Sequence, residues 1–150
     1  EKMTARRYYG VQEKQFHEYY VKADKKAGVT GENMLTILEC RLDNVVYRMG
    51  LASSRKEARQ MVRHAHFTLN GKKVDIPSII CKVGDVVALR EKSKASEKFK
   101  MLVETSKTAV IPKWLEIDHA NATAKVIALP KRDDIDFPFE EQLIVELYSK

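Results

Sequence analysis

Residues 55–63 read Arg-Lys-Glu-Ala-Arg-Gln-Met-Val-Arg. Arg55, Arg59 and Arg63 stand four residues apart. On a helix turning about 100° per residue they share an arc of about 140° with Lys56 and Gln60. Ala58, Met61, Val62 and Ala65 recur at i, i+3, i+4 and i+7 and form an apolar stripe beside that arc. A guanidinium is a planar fork of donors that matches paired phosphate oxygens, and it stays charged at any physiological pH. A helix that packs on one side and presents such forks on the other can grip a polyanion backbone. Within this segment only Glu57 is at hand to neutralise them. Reversing Arg55 and Arg59 to Glu is therefore expected to weaken polyanion binding while leaving the fold intact.

A hairpin follows at once. Residues 66–69 and 72–76 flank Asn70-Gly71, and both central residues of a type I′ turn need positive φ, which Asn and Gly accept best. Lys72 and Lys73 come directly after the turn. Because the hairpin starts where the helix stops, its lysines and the arginine arc are expected to be contiguous.

Other elements must hold this platform. Phe16, Tyr19, Tyr20, Ala23 and Ala27 predict a helix over 13–27 that Gly28 stops. Met34, Leu35, Leu38, Leu42, Val45, Val46 and Met49 predict a second helical stretch from Gly31 to Gly50, long enough to break near Cys40-Arg41. Ser54 with Glu57 fits a capping box. Residues 86–89 read as a strand, and Ala95, Phe99, Leu102, Val103 and Ser106 as a helix. Residues 114–118 and 125–128 read as a second hairpin, 130–138 as an irregular acidic connection, and 140–148 as a helix with Leu143, Ile144 and Leu147 inward, with a strand as the alternative that the β-branched Ile144-Val145 pair leaves open. Strands this few, joined by hairpins, predict an antiparallel or mixed sheet in an α+β fold.

Charge is uneven. Residues 1–110 hold 22 basic and 13 acidic side chains, while residues 111–150 hold 5 and 8. A polyanion is drawn to the first two thirds. Arg6 and Arg7 beside Tyr8 and Tyr9 form a second basic-aromatic cluster, of the composition that contacts RNA or equally well fills a core. No apolar run approaches a membrane-spanning length. The start, Glu1-Lys2-Met3-Thr4-Ala5-Arg6-Arg7, has no apolar stretch of a secretory signal and no initiator Met, so the chain is expected to be a fragment or a processed form. Cys40 and Cys81 lack any Cys-x-x-Cys partner and read as small buried hydrophobes of a reducing cytosol. His64 and His66 lack a third metal ligand, and Asp133, Asp134 and Asp136 read as surface acid. No cofactor, metal or catalytic motif is predicted.

The run from Arg41-Leu42-Asp43 to Val74 resembles the S-four RNA-binding module. The match extends through Tyr9-Gly10-Val11, Glu13-Lys14-Gln15-Phe16, Thr30-Gly31-Glu32-Asn33, Ser53–Gln60, His64–Gly71, Pro77-Ser78, Gly84-Asp85 and Leu143–Tyr148. Over nearly its whole length the chain is similar to the bacterial small-subunit ribosomal protein family of that name, without that family's N-terminal extension. The resemblance implies a helical domain (1–40 and 137–150) with an inserted RNA-binding domain (41–136). It implies a non-enzymatic cytoplasmic protein of the ribosome, monomeric when free, that binds small-subunit (16S) rRNA at a multi-helix junction early in assembly. Neighbouring small-subunit proteins, a role in decoding accuracy and, in some bacteria, binding of its own messenger are implied as well. Carried onto matching positions, RNA contacts are expected at Arg41, Arg48, Ser54, Arg55, Arg59, Gln60, Asn70, Gly71, Lys72 and Lys73. Lys56 and Arg63 are added by the helix wheel, and Arg6, Arg7 and Lys14 by the helical domain.

Overall fold

The computed structural model describes residues 2–138 and 140–149. In chain order its elements are α1 (Lys2–Tyr9), α2 (Glu13–Lys25), α3 (Thr30–Glu39), α4 (Leu42–Arg48), α5 (Arg55–Arg63), β1 (Phe67–Leu69), β2 (Lys72–Val74), β3 (Val86–Leu89), α6 (Glu91–Lys94), α7 (Glu97–Ser106), β4 (Leu115–Asp118), β5 (Thr123–Val126) and α8 (Glu141–Ser149), with a 3-10 turn at Arg132–Asp134. This is an α+β fold, and its strands form one antiparallel sheet in the order β2-β1-β3-β5-β4. Among the described residues no helix is long and apolar enough to cross a membrane.

The chain divides into two compact units, residues 1–39 with 130–150 and residues 40–129. In the first, α2 packs on α3 and α3 on α8. Phe16, Tyr19, Tyr20 and Ala23 of α2 are buried, as the helical spacing required. The helix ends at Lys25 with Lys26 already extended, so Ala27 falls outside it and is exposed. Helix α1 was not anticipated. Ala5 and Tyr9 are its only buried side chains, one turn apart, too few to mark a period in the sequence. Tyr9 Oη donates to buried Glu39 Oε2 at 2.6 Å. In α8 only Ile144 is buried, while Leu143 and Leu147 remain about half exposed (48% and 50%), against the expectation that all three point inward. Residues 130–136, assigned to the inserted domain on sequence grounds, lie in the first unit. There Thr36 Oγ1 donates to the Pro130 carbonyl at 3.0 Å, Arg132 Nε to Glu141 at 2.9 Å, and Ile135 is buried.

The second unit is built on the sheet. Because successive strand residues face opposite ways, Phe67, Val87, Leu89, Ala124 and Val126 form one buried face. Leu42, Val45, Val46 and Met49 of α4, Ala58, Met61 and Val62 of α5, and Phe99 of α7 complete that core together with Trp114. The long helical stretch does break at Cys40-Arg41. Arg41 is extended (φ −60°, ψ 143°) and bridges to Ile80, with Leu42 N donating to the Ile79 carbonyl at 2.8 Å. Gly50 ends the α4 turn at φ +87°, and a Cβ there would stand 2.7 Å from Ala109 Cβ, so both conformation and space require glycine. The stretch around residue 95 is two helices, because Ser96 caps α7 by accepting from Phe99 N at 3.1 Å. Strand β5 begins at Thr123, two residues earlier than its apolar pattern indicates, and the loop before it turns through Ala122 at φ 50°.

Candidate nucleic-acid interface

Helix α5 starts where a serine can accept. Ser54 Oγ takes the Glu57 amide at 3.1 Å, which satisfies one of the orphan donors of the first turn. The reciprocal half of the expected capping box is displaced by one residue. Glu57 accepts from Ser53, through Oγ at 3.0 Å and N at 3.4 Å. The helix ends at Arg63, and Ala65, placed on the helical stripe by its spacing, lies beyond it at φ 60°.

The five polar residues of the arc divide by their distance from the apolar stripe. Arg55 and Arg59, next to Val62 on the wheel, face α4 and are half-buried; Lys56, Gln60 and Arg63 are exposed. Helix α4 meets the first two with complementary groups. Arg55 Nε donates to Asn44 Oδ1 at 2.8 Å, and its guanidinium carbon lies 4.5 Å from the centre of the Tyr47 ring. That same ring has the Arg48 guanidinium at 6.0 Å. Arg59 Nε lies 3.5 Å from Asp43 Oδ2. Asp43 is buried and also takes Arg41 in a fork, Nε to Oδ1 at 3.1 Å and Nη2 to Oδ2 at 3.0 Å. Arg41 itself is only 3% exposed, so its guanidinium lies inside the unit, apart from the open face.

The acid that answers the arginines is thus Asp43, on another helix, and Glu57 faces away from them. Sequence reasoning missed Asp43, Asn44 and Tyr47. Their signal was present in the run Arg41-Leu42-Asp43-Asn44, where a helix start carries polar residues between buried ones. Glu at 55 or 59 would lose a side chain packed on α4, and at 59 it would set a second carboxylate against buried Asp43, so the fold would not be indifferent to it.

Charge nevertheless survives. Residues 41–64 hold six basic and two acidic side chains. Lys56, Gln60 and Arg63 make no side-chain hydrogen bond or ion pair among the described residues. With Arg59 and His64 they line a shallow open depression.

The hairpin has the expected turn, Asn70 at φ 52° and Gly71 at φ +83°. Asn70 is consumed structurally. Its Nδ2 donates to Asp85 Oδ1 at 2.9 Å, and its Oδ1 accepts from Val86 N at 2.9 Å, which pins the tip to β3. Lys72 and Lys73 are exposed, but Lys73 is opposite Thr68 and Lys72 opposite Leu69. They leave opposite faces of the sheet, and only Lys72 lies on the side of the core helices. The tip also stands a full strand β1 of three residues, about 10 Å at 3.3 Å per residue, beyond Phe67, and residues 64–66 separate that strand from α5.

In the first unit the basic-aromatic cluster is largely spent internally. Glu13 receives Lys2 Nζ at 3.2 Å, Arg6 Nη1 at 3.2 Å and Tyr148 Oη at 2.9 Å. Burial pushes the Glu13 carboxyl up, but these hydrogen bonds and charges together hold it below the usual carboxylate range. Tyr9 is buried, and Tyr8 donates to Asp136 at 2.8 Å. Arg7 and Lys14 are exposed and make no side-chain hydrogen bond or ion pair among the described residues. Among the described residues no group of three or more His, Cys, Asp or Glu side chains could hold a metal ion. Cys40 and Cys81 are buried free thiols, and burial, with nearby Asp85 and Cys40, pushes the Cys81 thiol up to about 12.

Comparison with known proteins follows the same division. Residues 40–87 match the S4 domain, and residues 1–39 match the ribosomal protein S4/S9 N-terminal domain, so the two matches meet where the two units meet. Over 150 residues, all of this chain, it is 63% identical to small ribosomal subunit protein uS4 of Acetivibrio thermocellus and 60% identical to that of Clostridioides difficile, spanning 72% of either relative. It is 61% identical, with the same coverage, to uS4A of Alkaliphilus metalliredigens. Identity of this extent over the whole chain, together with both domain matches, means that it belongs to the small ribosomal subunit protein uS4 family.

Proposed function

We propose that this chain binds small-subunit rRNA directly and works as a structural component of the ribosome, not as an enzyme. The exposed cations Lys56 and Arg63, with Gln60, lie over phosphates, and Lys72 extends the contact from the hairpin, while Lys73 meets RNA from the other face of the sheet. Arg55 and Arg59, held by α4, form the fixed edge of the same face, with Arg48 and Ser54 at its margin. Arg41 supports the face from inside, and Asn70 and Gly71 hold the hairpin in shape. Arg7, Lys14 and Arg6 make a weaker second contact. The observation that carries this reading is the rigid half of the arginine arc: two guanidiniums fixed on a neighbouring helix beside three polar side chains left open to solvent. Ordering before binding lowers the entropy lost when long side chains close on phosphate. Base-paired RNA keeps its major groove from side chains, so backbone and shape supply most of the recognition.

The finer reading is a multi-helix junction as target, bound early in assembly by a monomer, near proteins that tune decoding, with binding of its own messenger in some bacteria. Family membership supports it. Footprinting of small-subunit rRNA with and without the chain tests it. Protection clustered at one junction is expected, and protection spread evenly along the RNA would contradict it.

A further inference from the structure

Beside the phosphate-facing depression lies a second one with different chemistry. It is lined by Glu57, Gln60, Met61, His64, His66, Lys98 and Phe99. On the α5 wheel Gln60 and His64 belong to both depressions, so the two adjoin along one strip of helix. The first is walled by cations. The second has an apolar floor, Met61 and Phe99, each 4% exposed, and an imidazole side wall. The His66 ring lies 4.7 Å from that of Phe99, and the His64 ring 6.3 Å from that of His66. The left-handed turn at Ala65 brings both imidazoles to the pocket. His66 is fixed by Ser93 Oγ, 2.8 Å from its Nδ1. Around the rim stand donors and acceptors of both kinds: the Gln60 amide, the Lys98 ammonium and the Glu57 carboxylate.

We infer that this pocket takes one unstacked base of the same RNA whose phosphates lie over Arg59 and Arg63. The inference rests on the RNA-binding reading above. Its volume of about 200 Å³ suits a single planar heterocycle and falls below the pockets of about 300–1,000 Å³ that enclose whole small molecules. Single-stranded bases are recognised by stacking on His and Phe rings and by hydrogen bonds to their edges, and this lining offers both. Desolvation, with the charges of His64, Lys98 and Arg90 nearby, holds the His66 imidazole below its ordinary pKa, which keeps that wall neutral for stacking.

The test is an NMR titration of the full chain with adenosine 5′-monophosphate and, separately, ribose 5-phosphate. The nucleotide is expected to shift the His64, His66 and Phe99 ring signals as well as Lys56 and Arg63, whereas ribose 5-phosphate shifts only the latter pair. His66→Ala is expected to weaken the nucleotide about tenfold and to leave ribose 5-phosphate unchanged, with His66→Phe retaining the nucleotide response. Identical shifts from both ligands would overturn the base pocket and leave the phosphate site standing. No shift from either at Lys56 or Arg63 would overturn both.

Discussion

Each unit of this protein closes two cations on one carboxylate, and the outcomes differ. In the first, Glu13 takes Lys2 and Arg6 at the surface, with 45% of its side chain exposed; in the second, Asp43 takes Arg41 and Arg59 with 1% exposed. The surface pair is screened and easily remade, so it removes charge without fixing much. The buried pair fixes direction, because a desolvated carboxylate cannot trade its partners for water. The surroundings differ as well. Residues 40–129 hold 17 basic and 9 acidic side chains, a net of +8, and the remainder hold 10 and 12, a net of −2. Arginine content alone therefore does not mark a binding face. What marks it is an ordered guanidinium row beside cations that no acid among the described residues answers.

The largest expected effect separates the two carboxylates. Asp43→Ala removes the buried carboxylate that Arg41 and Arg59 share and is expected to lower unfolding free energy by about 3–5 kcal/mol. Glu13→Ala should cost about 1 kcal/mol or less. Denaturant titration measures both, and equal losses would erase the distinction. On binding, Lys56→Glu with Arg63→Glu is expected to reduce rRNA affinity on the order of tenfold or more, with the melting temperature unchanged, since among the described residues neither side chain makes a hydrogen bond or ion pair. Arg7→Glu with Lys14→Glu should change affinity by about threefold or less; a larger loss there would move the principal contact into the helical unit.

Smaller effects sharpen the picture. Gly71→Ala meets no atom within 4 Å, so its cost is backbone strain alone, about 1–2 kcal/mol at φ +83°. That loss should appear in stability and hairpin register before it appears in affinity. The least is a pH effect. Above its unfolded pKa near 6.5, His66 is neutral in both states and contributes nothing. As pH falls through that value, the unfolded chain takes the proton first, so stability declines toward the lowered folded pKa. In the His66→Phe variant that part of the decline between neutral and mildly acidic pH should vanish from the melting curves.

Much of this was legible in the sequence because it rests on period and turn chemistry. The α5 stripe, the Asn70-Gly71 turn, the break at Cys40-Arg41 and the buried cysteines all follow from local rules. The resemblance carried in Arg41–Val74 supplied the family. What stayed hidden needs distance between segments. No local pattern tells that Asp43 answers Arg59, sixteen residues on, or that Asn44 and Tyr47 hold Arg55. Strand alternation could have separated Lys72 from Lys73, but only once the hairpin register was fixed. Leu143 and Leu147 obey a helical period and still face outward, because a period gives the stripe and not its width.

The most direct measurement is the salt dependence of rRNA affinity for the full chain and for its Lys56→Glu, Arg63→Glu form. If these side chains lie on phosphates, the plot of log affinity against log salt should become shallower by about one unit of slope for each contact removed. An unchanged slope in a correctly folded variant would contradict a binding face on α5.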